Sequence, residues 1–259
     1  MSFQRHIKVA AALLVIAGAP PGFAQAGGSG DDVDPAYFAT AQENWSFEIT
    51  PYAWLPGIKA DVTVRDYTVD VDQSFSDIFK SVKFAAAGLA IARYRNWLIW
   101  TQVDYFSLST DQLNNPPARG TLASKDTLYT VAGGYRFNGW SDRQSFDVMV
   151  GAQGIHFDNT LTLNRIGSFE NTRDIVVPVF ILRPNFRLSK SWVFNPTLSI
   201  GGSGSKTTYQ LQPQFVFQFN RTWQARFGYR KLHYKITSDR DNTFDGSLAG
   251  PLIGFGATF

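Results

Sequence analysis

The sequence predicts an all-β chain closed into an antiparallel up-and-down transmembrane barrel of about ten strands, with eight and twelve as the neighbouring counts. Three observations predict it. From Trp45 onward polar and apolar residues alternate with period two, a spacing that separates the faces of a strand and mixes those of a helix. Short turns alternate with long loops, the habit of bacterial outer-membrane barrels. Aromatic residues recur at the short-turn ends of the strands, where a membrane–water interface favours amphipathic rings.

Composition supports this class and removes others. The chain has 259 residues, 24 Lys+Arg, 21 Asp+Glu and no Cys. The absence of Cys excludes disulfide scaffolds, thiolate zinc sites and thiol catalysis. A net charge of +3 is too small to suggest a nucleic-acid partner. Charged residues are 17% of the chain, below the ~25% usual for soluble domains, and aromatics reach 15%. The longest apolar run, Val9 to Ala19, is about half the ~20 residues of a spanning helix.

Residues 1–26 read as an export signal: Arg5 and Lys8, the apolar run Val9–Ala19, then Ala24-Gln25-Ala26 as a cleavage site. Residues 27–43, opening Gly27-Gly-Ser-Gly-Asp-Asp-Val-Asp34, read as a flexible periplasmic lead-in. The barrel then occupies 44–259. Strands are expected near 45–55, 84–94, 97–108, 126–137, 144–157, 174–187, 192–201, 207–219, 223–235 and 247–259. A weaker hairpin is expected at 58–72, marked by Val62, Val64, Val69 and Val71. The strand at 207–219 is the clearest: Tyr209, Leu211, Pro213, Phe215, Phe217 and Phe219 alternate with Gln210, Gln212, Gln214, Val216 and Gln218.

Long loops are expected at 56–83, 109–125, 158–173 and 236–246. Within the first, Ser74–Val82 spaces Phe75, Ile78, Phe79 and Val82 on one helical face, as a plug over the barrel mouth or a surface helix. Pro51, Pro178, Pro184, Pro196, Pro213 and Pro251 fall inside strands, all on the apolar face. Because proline cannot donate to a ladder, bulges or membrane-interface positions are expected there.

The phase of the alternation assigns the faces. Glu48, Gln102, Asp104, Arg136, Asp147, Gln153, Arg183, Asn185, Arg187, Gln212, Gln214, Arg226 and Arg230 are expected to face the lumen. Two readings stay open for them: a weakly anion-attracting pore, or an Arg–carboxylate network filling a small lumen. Trp45, Tyr94, Trp97, Phe137, Trp140, Phe186, Trp192, Phe219, Trp223 and Phe259 are expected to form a periplasmic aromatic girdle. No catalytic, cofactor or metal residue is assigned. After the export signal only His156 and His233 remain as imidazoles, and both read as interfacial strand ends. Gly201-Gly-Ser-Gly-Ser205 lacks the lysine and helix of a phosphate loop.

Several stretches resemble a known group, the uncharacterised proteobacterial outer-membrane β-barrel proteins. The resemblance rests on Trp45-Ser-Phe-Glu-Ile-Thr-Pro-Tyr-Ala-Trp54, Phe75-Ser-Asp-Ile-Phe79, Asp104-Tyr-Phe-Ser-Leu108, Gly228-Tyr-Arg230, Gly250-Pro251 and the terminal Phe259, and covers most of 44–259. It implies a Gram-negative outer-membrane location, with membrane lipid and lipopolysaccharide as surroundings. The final strand ending in Phe259 resembles the signal read by the barrel-assembly machinery. Lys231-Leu-His-Tyr-Lys235 departs from the group, where acidic residues are more familiar. The expected function is a structural barrel or narrow passive channel for small solutes, without catalysis or cofactor. The alternatives are an outer-membrane lipid-modifying enzyme and a soluble periplasmic β-sandwich binding protein.

Overall fold

The period-two segments form fourteen strands of a single sheet. The computed structural model describes residues 45–64, 67–74, 82–110, 120–163, 167–237 and 243–259. The expected signal at 1–26, the lead-in at 27–43 and positions 75–81 of the helical candidate lie outside the described residues. In chain order the strands are β1 (Trp45–Trp54), β2 (Gly57–Val64), β3 (Tyr67–Gln73), β4 (Val82–Tyr94), β5 (Trp97–Thr110), β6 (Gly120–Asn138) and β7 (Gln144–Leu163). There follow β8 (Gly167–Arg187), β9 (Trp192–Phe194), β10 (Thr197–Ser203), β11 (Lys206–Gln212), β12 (Gln214–Gln218), β13 (Trp223–Thr237) and β14 (Thr243–Thr258).

Four pairs of segments are halves of one stave: β1 with β2, β3 with β4, β9 with β10, and β11 with β12. The barrel therefore has ten staves. It closes because β14 pairs with β13 on one side and with β1 and β2 on the other, from Glu48↔Thr258 through Trp54↔Leu252 to Gly57↔Ala249. Closure removes the two-sheet sandwich left open by the sequence.

In three of the expected long loops, 109–125, 158–173 and 236–246, every described residue is in a strand. β6, β7 and β8 run for 19, 20 and 21 residues, about twice the 9–11 that cross a bilayer. Leu163↔Gly167 and Thr237↔Thr243 are still paired. Above the apolar band these strands carry polar residues on the outer face, such as Thr160, Thr162 and Ser168. The hydropathy contrast that marks a strand fades there while the ladder continues. The weak hairpin is present as β2 and β3, paired from Ile58↔Gln73 to Val64↔Tyr67.

The prolines are not bulges. Register is continuous past all six, and the one irregularity among the described residues lies at Val82/Phe84. Four of them fall on one row. Continuing Leu182↔Leu198 and Phe186↔Phe194 places Pro184 opposite Pro196. Thr197↔Gln212 and Phe215↔Phe194 place Pro196 opposite Pro213. Tyr229 lies beyond Pro213, donating its N–H to the Pro213 carbonyl at 3.0 Å, and Tyr229 pairs with Pro251. At the Pro184–Pro196 pair neither residue has an N–H. The buried Asn195 side chain supplies the missing donor, giving its Nδ2–H to the Pro184 carbonyl at 3.1 Å. On the same row Gly250 passes the break between β1 and β2, where a Cβ would meet the Leu55 carbonyl at 1.9 Å.

The outer wall is apolar: Ile49, Ile99, Val150, Phe180, Ile200, Phe215, Ile253 and Phe255 are exposed. The inner face is divided. Leu89, Ile91, Leu98, Trp100, Met149, Val177 and Ile181 pack into a core on the β4–β8 wall, and Trp54, Leu128, Ile155, Leu232, Tyr234 and Leu252 form a second. Polar residues hold the rest of the interior. On the β11–β12 stave, Phe215→Arg should destabilise the protein by about 2–4 kcal/mol, and Tyr209→Arg near the band's upper edge by about 0–1 kcal/mol. Urea unfolding in lipid vesicles measures both; equal losses would place the band elsewhere.

Candidate functional site: the filled interior

The inner polar residues form one network with two charged centres. The first lies towards the long-strand end. Arg230 Nη1 meets Asp104 Oδ2 at 2.6 Å, and Arg230 Nε donates to Gln210 Oε1 at 3.0 Å. The guanidinium lies over the Trp54 ring, 4.2 Å from its centroid, a cation–π contact strengthened by exclusion of water. Tyr52 donates its O–H to Asp104 Oδ1 at 2.6 Å and accepts from Gln102 Nε2 at 2.7 Å.

The second centre lies towards the short turns. Arg136 grips Asp147 with two nitrogens, at 2.6 and 2.9 Å, the fork geometry that makes such pairs strong. Arg183 faces the same carboxylate at 3.8 Å and donates to Asn195 Oδ1 at 2.8 Å. Arg226 pairs with Glu48 and also reaches Asn195 Oδ1 at 3.4 Å. Asn185 accepts from Asn195 Nδ2 at 2.8 Å.

A ladder of amides links the centres. Gln210 donates to Gln212 at 3.1 Å, Gln212 to Gln214 at 3.3 Å, and Gln214 to Asn195 at 3.1 Å. The glutamines stand at every second residue of one stave, so their side chains follow one another along one face. Gln153 joins at the side by accepting from Thr208 at 3.1 Å.

Of the thirteen residues assigned to the lumen from sequence, eleven are buried; Arg136 and Arg187 are half-buried near the short-turn end. Interior residues outside that assignment include Asn195, Arg93 and Tyr52, besides the buried Gln210, Gln218 and Gln224. Asn195 lies in the strand expected at 192–201, next to Pro196. Arg93 follows Ala85-Ala-Ala-Gly-Leu-Ala-Ile-Ala92, where both faces are apolar and phase is hard to read. Tyr52 shares the phase of Glu48 on β1, and its ring points inward to Asp104. Between the centres lies a narrow void of about 10 Å³, walled by residues including Tyr52, Trp100, Gln102, Gln214 and Arg226, about the space of one water.

The aromatic positions form a belt at one end of the outer wall. Trp45 meets Tyr94 at 5.2 Å, Trp140 meets Phe146 at 6.0 Å, Trp192 meets Phe217 at 4.9 Å, and Phe219 and Trp223 both stack near Phe255. Trp97, Phe137 and Phe259 are exposed and Phe186 is half-buried.

Above the apolar band stand further titratable groups. Asp126, on the upper half of β6, is pushed up to about 6, chiefly by burial and further by nearby Asp158. His156 Nδ1 lies 2.6 Å from Asp174. His233 Nδ1 lies 3.0 Å from Ser247 Oγ, and its Nε2 3.5 Å from Asp245 Oδ1. Its ring stacks on Tyr209 at 4.6 Å. Burial holds the His233 imidazole below its ordinary pKa, opposed by Asp245. No cluster of three metal-ligating side chains occurs among the described residues.

No protein-family model and no curated protein matches the chain. Among solved structures it is similar to the outer-membrane protease OmpT from Escherichia coli, at 12% identity and TM-score 0.53, over 84% of this chain and 97% of that one. It also matches the translocator domain of the autotransporter NalP from Neisseria meningitidis, at 11% identity and TM-score 0.40, over 86% and 91%. The attachment protein Ail of Yersinia pestis matches at 12% identity and TM-score 0.38, over 84% and 100%. At 12% identity the likeness to OmpT is one of fold: a closed antiparallel barrel of the outer-membrane type.

Breaking a buried pair should cost more than removing it. Asp104→Leu or Arg230→Met alone should destabilise by about 3–5 kcal/mol, and the double variant by less than either, because each single change leaves a buried charge unpaired. Urea midpoints of the four proteins form the cycle; additive losses would mean the two groups do not interact.

Proposed function

We propose that this chain is a Gram-negative outer-membrane barrel with a structural role, closed to solutes along its axis. The observation that carries this reading is the continuous network from Asp104–Arg230 through the glutamine ladder to Glu48–Arg226 and Asp147–Arg136. Conduction needs a path where ions exchange water for protein groups that bind weakly enough to release them. Here the inward arginines are engaged by carboxylates, amides and aromatic rings, and the void between the centres holds about one water. Support for the membrane setting comes from the apolar outer wall and the aromatic belt. In this reading the short turns and both termini of the barrel are periplasmic, the long strands stand outside the cell, and the last strand is the one the assembly machinery engages. Planar-bilayer recording of the purified protein should show no resolved steps. Asn195→Ala, which removes the hub of the amide ladder, should produce small, anion-favouring events. Large porin-like steps from the unaltered protein would overturn the proposal.

A second reading, a lipid-modifying hydrolase, is favoured by one constellation. His233 and Ser247 are cross-strand neighbours on the outer face, with Asp245 on the far side of the ring. The order nucleophile, base, orienting carboxylate is that of an activated serine. The chemistry would be acyl-ester hydrolysis. Ser247 Oγ would attack the carbonyl carbon and pass its proton to His233 Nδ1. The C–O bond to the alcohol would break as that proton is returned to it. Water would then release the fatty acid from Ser247. A fluorophosphonate probe tests this reading: labelling lost in Ser247→Ala supports it, and an unlabelled native protein ends it.

A further inference from the structure

The four short turns share a feature that the closed interior does not use. Each carries one cation beside one indole: Arg95-Asn-Trp97, Trp140-Ser-Asp-Arg143, Lys190-Ser-Trp192 and Arg221-Thr-Trp223. The only acid in these turns is Asp142. Arg95, Arg143 and Arg221 are exposed and form no ion pair among the described residues.

Two observations point to a ligand. Arg95 holds a left-handed backbone, φ 54°, at a turn position where glycine carries no steric penalty and a long side chain does. The cation is kept there against the local preference of the chain, and an outlier of this kind is a pointer to function. Beneath the turn that carries Arg143, the outer wall opens into a groove of about 450 Å³ lined by Phe137, Trp140, Phe146, Val148 and Leu182. The Trp140 indole is 93% exposed and touches only the edge of this groove, through Phe146 at 6.0 Å. Protein does not cover these apolar groups. An acyl chain in the groove would cover them, and the phosphate at its head would meet the arginine of the turn above.

We propose that the short-turn end is a binding collar for anionic phospholipid, with the groove under Arg143 as its best-formed seat. Guanidinium recognises phosphate with paired N–H donors, and an indole sits where the headgroup meets the acyl region. The occupant is a phospholipid rather than free phosphate because the site joins an apolar groove to the cation. The inference rests on the membrane-spanning reading above.

The test uses the full chain in detergent micelles, with bound lipid counted by native mass spectrometry during titration with phosphatidylglycerol, phosphatidylcholine or inorganic phosphate. The native protein should bind phosphatidylglycerol at least tenfold more tightly than phosphatidylcholine. Arg95→Gln/Arg143→Gln/Arg221→Gln should lose that preference, and Arg143→Lys should keep part of it. Trp140→Ala should weaken both lipids. Three outcomes would overturn the proposal: an unchanged preference in the triple variant, competition by phosphate alone, or loss on Lys59→Gln/Lys231→Gln at the opposite end instead. Heat-modifiable mobility after insertion into phosphatidylcholine vesicles is scored alongside. Failure to insert strikes the membrane reading, whereas insertion without lipid preference strikes only the collar.

Discussion

Arg226 and Glu48 are 178 residues apart in the chain and meet only because the sheet closes. They belong to β13 and β1, the two neighbours of β14. Arg230 and Asp104, 126 residues apart, meet across the interior. An inward charge in a closed barrel has no bulk water to reach, and an unpaired one is prohibitively costly at low dielectric. Pairing inside the lumen is therefore a condition of closure. The amide ladder, the inward tyrosine and the stacked Trp54 complete what the carboxylates alone leave unmet.

The same constraint explains the division of the interior. Where β4–β8 offer leucine, isoleucine, valine and methionine inward, the space is filled as a soluble core would fill it. Where the inner face is glutamine and arginine, space is filled by hydrogen bonds. Both halves draw the staves together across the interior. The outer wall then becomes the place where chemistry with the surroundings is available: the Ser247–His233–Asp245 row at one end, and the arginine–tryptophan turns at the other.

Backbone donors are governed by a parallel accounting. Four prolines on one row remove N–H groups from the ladder, yet register survives, and at the Pro184 carbonyl a side chain supplies the lost donor. That side chain belongs to Asn195. One amide repairs the Pro184–Pro196 gap with its nitrogen and gathers Arg183, Gln214 and Arg226 on its oxygen. A single residue thus couples the ladder of the wall to the network of the lumen.

Much of this was legible in the chain. Period two, set against lipid outside and side chains inside, fixes strand number, face and the aromatic belt, because each is local and repeats with the pleat. Gln210, Gln212 and Gln214 declare their face without any partner being known. What the order of residues does not contain is which charges meet. Arg226 could pair with any carboxylate of suitable phase until closure sets Glu48 beside it, and the stagger of the staves decides that. Strand ends above the bilayer were equally hidden: once lipid no longer demands an apolar face, the alternation stops while hydrogen bonding goes on. The meeting of His233 with Ser247, and of Arg143 with a groove built from three strands, likewise belongs to tertiary structure. Contacts between staves depend on register, and register is a property of the closed sheet.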